Sequence, residues 1–361
     1  MPDPLPIQGI HHVELVVGNA RQAAYYYRKA FGFNQIAYLG PETGHRDRAS
    51  YALEQNRVRL VLTTPLNPDD PLSEHIKRHG DGVWNVCFAA DNPQAVFEEA
   101  VARGAEAAAP PEMLEDKRGR VPQTAIRAYG DVRHTFVETS AYDGPFLPGY
   151  EPEAIREDGN GLILIDHLVA NVEDRRMNHW VDWYQRIFGF EHFMTFDDKD
   201  ISTEYSALRS KVMSSPGGKV KLPINEPAQG KRKSQIQEYL DYYHSPGVQH
   251  IALFTTDIVE TVTRMRERGV EFLEVPDTYY ELVWDRVGGI QEEREDIRRL
   301  RILVDRDDQG YLLQLFTKPV EDRPTLFYEV IQRHGAQGFG KGNFKALFES
   351  IEREQQRRGN L

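Results

Sequence analysis

The chain has 361 residues and a net charge of −12, with 40% hydrophobic and 28% charged residues. That acidity excludes general affinity for phosphate backbones, and the length gives room for two ordinary domains. Its single cysteine, Cys87, excludes an intramolecular disulfide and a thiolate metal cage. No apolar run is long enough to span a bilayer, and Met1-Pro2-Asp3-Pro4 does not open a secretory signal, so the expectation is a soluble cytoplasmic protein.

The predicted elements begin with a strand around His12. A polar, helix-like stretch follows and closes on Tyr27-Arg28-Lys29-Ala30-Phe31-Gly32-Phe33. Next comes His79-Gly80-Asp81-Gly82-Val83-Trp84-Asn85, then a strand holding Cys87, then Asp91 and an amphipathic helix ending at Gly104. The stretch from Tyr142 to Gly161 is rich in Pro, Gly and acidic residues and reads as a linker. After it the same order returns. A strand with His167 leads through a helix to Tyr184-Gln185-Arg186-Ile187-Phe188-Gly189-Phe190. His244-Ser245-Pro246-Gly247-Val248-Gln249-His250 then leads to a strand, Asp257 and a helix ending at Gly269. Two phrases in the same order at similar offsets mark an internal repeat. The reading is four similar units, two per half, each a strand, a helix and about three further strands. The expected domains are residues 1–150 and 151–361. A tail unique to the second half starts at Gln332-Arg333-His334-Gly335. Its glycines at 338, 340 and 342 lack the spacing of a phosphate loop and read as a hinge. They precede a helix predicted from Lys345 to Arg358, with Leu347, Phe348 and Ile351 on one face.

Strand alternation puts His167 on the face of Ile165 and Val169, and His250 on the face of Val248 and Ala252. In Leu326-Phe327-Tyr328-Glu329-Val330-Ile331, Glu329 shares a face with Phe327 and Ile331. One strand histidine alone is ordinarily a core residue. The set differs, because matching strands of paired repeats come together, and a lone buried carboxylate is costly. Two imidazoles and a carboxylate form the facial triad of non-heme iron(II) oxygenases; catalytic zinc accepts the same donors, so ligand type leaves the metal open. In the first half His12 stands where His167 stands, but Asn85 replaces His250, and no acidic counterpart of Glu329 is clearly placed. The second half is therefore expected to hold the metal, and the first to be a degenerate copy. Asn225, Gln314, Ser210 and Gln235 lie on or beside the same strand faces and can hydrogen-bond a polar substrate. Phe316, Phe327, Phe339, Phe344 and Phe348 would supply an aromatic lining. Such a pocket suits an aromatic substrate that also chelates.

The phrases Asp166-His167, Leu222-Pro223-Ile224-Asn225-Glu226-Pro227, Gly247-Val248-Gln249-His250 and Gln314-Leu315-Phe316-Thr317-Lys318-Pro319 resemble the 4-hydroxyphenylpyruvate dioxygenase family. So do Arg323-Pro324-Thr325-Leu326-Phe327-Tyr328-Glu329 and Gly338-Phe339-Gly340-Lys341-Gly342-Asn343-Phe344. The resemblance covers essentially the whole chain. It implies an α+β vicinal-oxygen-chelate fold, with four βαβββ units paired into two open barrel-like domains and a C-terminal helix capping the active site. It implies one iron(II) on His167, His250 and Glu329, with 4-hydroxyphenylpyruvate and dioxygen giving homogentisate and carbon dioxide. Gln235, Gln249, Gln314, Asn225, Ser210 and Phe344 take catalytic roles in that reading, and Pro223, Phe316, Phe327, Phe339 and Phe348 bind substrate. The family also implies a homo-oligomer. Hydroxymandelate synthase resembles the same template and is the alternative, but Pro223 and Phe344 follow the dioxygenase pattern. The main departure from the family is a short first half around residues 105–125.

Overall fold

The computed structural model describes residues 2–197 and 207–360. Its first half opens with strand β1 (Ile7–Val16), helix α1 (Ala20–Phe31) and strands β2 (Asn34–Leu39), β3 (Arg48–Gln55) and β4 (Val58–Pro65). Helix α2 (Pro71–His79) leads to β5 (Gly82–Ala90), α3 (Pro93–Ala102), β6 (Ala107–Asp116), β7 (Gly119–Arg127) and β8 (Arg133–Val137), and β9 (Glu151–Ile155) follows. The second half repeats the plan with β10 (Leu162–Asn171), α4 (Met177–Phe188), β11 (Glu191–Phe196), β12 (Ala207–Ser214) and β13 (Lys221–Ala228). Beyond α5 (Gln235–Tyr243) come β14 (Gly247–Thr255), α6 (Ile258–Glu267), α7 (Asp277–Val287) and α8 (Arg294–Leu300). Then β15 (Leu303–Asp307), β16 (Gly310–Phe316), β17 (Phe327–His334) and α9 (Phe344–Arg357) complete the chain.

Each half is a pair of βαβββ units sharing one mixed sheet. The strand orders are β6-β7-β8-β5-β1-β4-β3-β2-β9 and β11-β12-β13-β10-β14-β17-β16-β15. The units of each pair meet through antiparallel central strands, β1 with β5 and β10 with β14. The α+β architecture expected from the repeats is therefore the one observed.

The repeated Phe-Gly-Phe phrase has a local cause. Gly32 (φ 75°) and Gly189 (φ 67°) are left-handed residues that end α1 and α4. Gly32 N–H bonds to Arg28 O and Phe33 N–H to Tyr27 O; Gly189 and Phe190 repeat this with Gln185 and Tyr184. Glycine adopts that conformation without a Cβ penalty, and the following Phe folds back onto the core. The start of α6 is capped by Asp257, whose side chain accepts from Glu260 N. Its counterpart in α3 is Asn92, while the neighbouring Asp91 accepts from Gln8.

Part of the stretch read as a linker is structured. β9 adds to β2, and its Pro152 is tolerated because it lies on an edge strand. Tyr142, Phe146, Leu147 and Tyr150 bury themselves in the first sheet's interior beside Cys87. The two halves also share a core across their junction, where Tyr27 bonds to Tyr328 at 2.9 Å and His134 to Tyr184 at 2.7 Å. No helix among the described residues is long and apolar enough to cross a membrane.

Candidate metal centre and active site

Three adjacent strands place the candidate ligands. Ala252 on β14 pairs with His167 of β10 on one side and with Glu329 of β17 on the other. His250 pairs with Val169 and Phe327, two residues along the same strands and on the same face. Ala252 is small, so the space between His167 and Glu329 stays open. The donors converge there: Glu329 Oε2 lies 3.1 Å from His167 Nε2 and 3.4 Å from His250 Nε2. Two imidazoles and one carboxylate, from three strands and all buried, match a divalent metal with open positions.

The charges are arranged to suit a cation. Burial opposes ionisation of Glu329, but the two facing imidazoles outweigh it and hold the carboxyl at about 2. Burial lowers His250, which keeps it neutral and ready to ligate. Burial also opposes charge on His167, yet Glu329 and Asp166 raise it. The Nδ1 of His167 faces Asp166 at 2.7 Å, and Asp166 takes two hydrogen bonds from Arg333. Burial resists the Asp166 charge, and Arg333 with His167 overcomes it, leaving the carboxyl well below the usual range. His250 Nδ1 faces Gln249 Oε1 at 3.2 Å. Such partners orient ligand imidazoles and fix which nitrogen faces the metal.

A β-bulge explains why Asp166 can do this. The register slips between Ile165 and His167 opposite Leu253 and Ala252, so adjacent residues Asp166 and His167 come together. The same slip lies between Ile10 and His12 opposite Phe88 and Cys87.

A cavity opens from the candidate ligands. Of the residues expected from sequence, it brings together His167, His250, Glu329, Ser210, Pro223, Asn225, Gln235 and Gln249, with Phe316, Phe327, Phe339, Phe344 and Phe348. Gln314 does not reach the wall. Its amide is buried without a hydrogen-bond partner among the described residues and lies behind Gly340. A Cβ at Gly340 would sit 2.5 Å from Gln314 Nε2, so the hinge glycine is needed for this approach. Val169, Phe196, Leu208, Val212, Leu347 and Ile351 also line the cavity, though sequence did not mark them as site residues. Leu347 and Ile351 were legible, since they follow Phe344 and Phe348 at helical spacing. Phe196, Leu208 and Val212 read like any strand core.

Aromatic rings fix the ligands in place. His250 stacks on Phe327 at 4.8 Å, and His167 meets the edge of Phe339 at 5.0 Å. Helix α9 roofs the cavity, and its far end is held by Arg358, which donates to both oxygens of buried Glu238 on α5.

The first half shows the same register with different residues. His12 pairs with Cys87, and Cys87 with Thr135, so Thr135 stands where Glu329 stands. Asn85 stands in the place of His250, and its Oδ1 accepts from Thr135 at 2.8 Å. His12 is pushed down well below its ordinary range by burial, then by His11 and Arg59. Phe146 packs on His12 with ring centres 5.1 Å apart.

Comparison with known proteins agrees with this layout. Residues 11–120 and 164–315 each match the Glyoxalase/Bleomycin resistance protein/Dioxygenase superfamily. The 4-hydroxyphenylpyruvate dioxygenase of Dictyostelium discoideum is 47% identical over 98% of this chain and 100% of its own. The chain belongs to the 4-hydroxyphenylpyruvate dioxygenase family. The family's enzyme from Danio rerio is likewise 47% identical, over 97% of this chain and 91% of its own. Among solved structures, a triple mutant of 4-hydroxymandelate synthase from Streptomyces coelicolor superposes with a TM-score of 0.87 at 34% identity, covering 97% of this chain and 99% of that one. The sister enzyme thus shares the fold of this dioxygenase family at lower identity.

Proposed function

We propose that the chain converts 4-hydroxyphenylpyruvate and dioxygen into homogentisate and carbon dioxide, using one iron(II) on His167, His250 and Glu329. The observation that carries this reading is the convergence of those donors at the end of a Phe-lined cavity, in a member of the family. Iron bound there supplies redox activation of dioxygen and an anchor for the keto acid. Stoichiometry balances without a second reductant: one oxygen atom enters the new carboxylate, the other the ring, and the keto acid's own carboxyl leaves as carbon dioxide.

The chain's residues bind, orient and exclude. His167, His250 and Glu329 would hold the ion at the end of the cavity. Asn225, Ser210, Gln235 and Gln249 offer neutral donors and acceptors to the substrate's polar atoms without changing the charge of the site. Phe316, Phe327, Phe339, Phe344 and Phe348 hold the ring and keep water out of the site. Residues 1–150 serve as a scaffold and residues 151–361 as the catalytic half. The proposal includes a cytoplasmic homo-oligomer, read by fractionation and sedimentation velocity.

The test is anaerobic loading with iron(II), followed by 4-hydroxyphenylpyruvate and oxygen, with products identified by mass. Homogentisate with equimolar carbon dioxide supports the proposal. Hydroxymandelate as the main product would transfer the chain to the sister activity. An absolute need for added 2-oxoglutarate would overturn the reading.

A further inference from the structure

A second group of metal-type donors lies away from the cavity, where the halves meet. His75 and His79 are four residues apart on α2 and therefore share one helix face. Asp131, in the turn between β7 and β8, reaches the same point. One donor atom from each of the three lies within 4.8 Å of the others. The ring centres of His75 and His79 are 4.6 Å apart.

Three details point to a ligand. First, His75 is 3% exposed, yet neither ring nitrogen has a hydrogen-bond partner among the described residues. A buried polar group of that kind calls for a metal or water to satisfy it. Second, His79 is already arranged as a ligand. Its Nδ1 faces the backbone carbonyl of Tyr243, the last residue of α5 in the other half, while its Nε2 faces Asp131 Oδ2 at 2.7 Å. Ligand histidines ordinarily direct their second nitrogen to such a carbonyl. Third, the Asp131 side chain is 43% exposed, so water has access to an open position.

We propose that His75, His79 and Asp131 form a zinc site that clasps α2 and the β7–β8 turn against the end of α5. Two imidazoles and a carboxylate, with water as the fourth ligand, make a tetrahedral set suited to zinc. Burial, then the neighbouring His79, pushes His75 down to about 3, so its imidazole is neutral at ordinary pH. The site is independent of the cavity. The buried group His11, His12 and Cys87 fails the same reading. The Nδ1 atoms of its two histidines already face each other at 2.8 Å, and Arg59 and Arg133 press positive charge upon His12.

The experiment uses the full-length chain, stripped with chelator, incubated with zinc, dialysed, and measured by plasma mass spectrometry. A His167→Ala/His250→Ala variant removes the cavity site. It should retain one zinc per chain, and adding His75→Gln should abolish that binding. His75 makes no hydrogen bond that the substitution could break. Asp131→Asn keeps an acceptor for His79 and should weaken binding at least tenfold, which separates ligation from folding. In the otherwise wild-type chain, zinc should fall from two equivalents to one on His75→Gln, while iron-loaded turnover is unchanged. No zinc in the folded double variant, or one zinc persisting when His75→Gln is added to that double variant, would overturn the proposal.

Discussion

Arg333 and Asp166 are joined by two hydrogen bonds of 2.8 Å each, and this pair connects the metal centre to the tail. Asp166 faces the ligand His167, while Arg333 also donates to the carbonyls of Ala336 and Gly338 at the start of the hinge. One guanidinium therefore ties the carboxylate that faces His167 to the segment leading into α9.

Removing that guanidinium leaves a buried carboxylate without its partner. Arg333→Met is expected to lower stability by about 3 kcal/mol, the usual scale for breaking a buried pair. Urea unfolding of the two proteins measures it. Asp166→Asn keeps the side chain's size but loses the charge, and iron affinity should fall about tenfold or more. Unchanged affinity would remove Asp166 from any role in orienting His167.

The two halves predict opposite responses to the same change. His167→Ala, His250→Ala and Glu329→Ala should each abolish turnover and deplete bound iron. His12→Ala should leave iron content as it was, because Asn85 and Thr135 stand in the other two ligand places. Iron analysis after gel filtration decides. Loss of iron on His12→Ala would mean that the first half is not a degenerate copy.

Phe344 begins α9 and meets the edge of Phe196 at 4.9 Å on the cavity wall. Phe344→Ile should loosen the ring's placement and divert part of the product toward hydroxymandelate, with carbon dioxide release largely kept. Chromatography of the products tests this. A folded variant that is slower but makes only homogentisate would refute a steering role.

Burial pushes His134 from 6.5 down to about 3 in the folded protein. The unfolded chain therefore binds the proton first as pH falls, so stability is full above about 6.5 and declines as pH drops toward 3. The slope from this residue is about 1.4 kcal/mol per pH unit between those limits. His134→Gln removes that contribution. Urea unfolding at pH 7 and pH 5 should show a larger loss for wild type than for the variant; equal losses would count against the assignment.

The parts of the site that sequence made legible are those set by strand alternation. His167, His250 and Glu329 each interrupt an apolar strand face, and the repeats implied that their strands would meet. The pairing of Val169 with His250, and of His167 with Ala252, was not legible, because a bulge shifts the register by one residue. The same limit concealed Asp166, which looked like a neighbour on the opposite face. Gln314 shares its strand face with Phe316 and still misses the cavity, because the hinge at Gly340 lies over it. The structured stretch around Tyr142, Phe146 and Tyr150 was hidden by its Pro, Gly and acidic content. Its aromatics bury themselves singly, without the periodicity of a helix or strand.

The shared bulge has a consequence for redesign. Because both sheets carry the same slip, a donor introduced at position 85 or 135 would arrive level with His12 without any backbone change. Asn85→His and Thr135→Glu would recreate the inventory of the working centre. Phe146 packs on the ring of His12, and Arg59 and Arg133 repel an incoming cation. A graft into the first sheet must therefore clear that ring and offset those two charges as well as supply ligands.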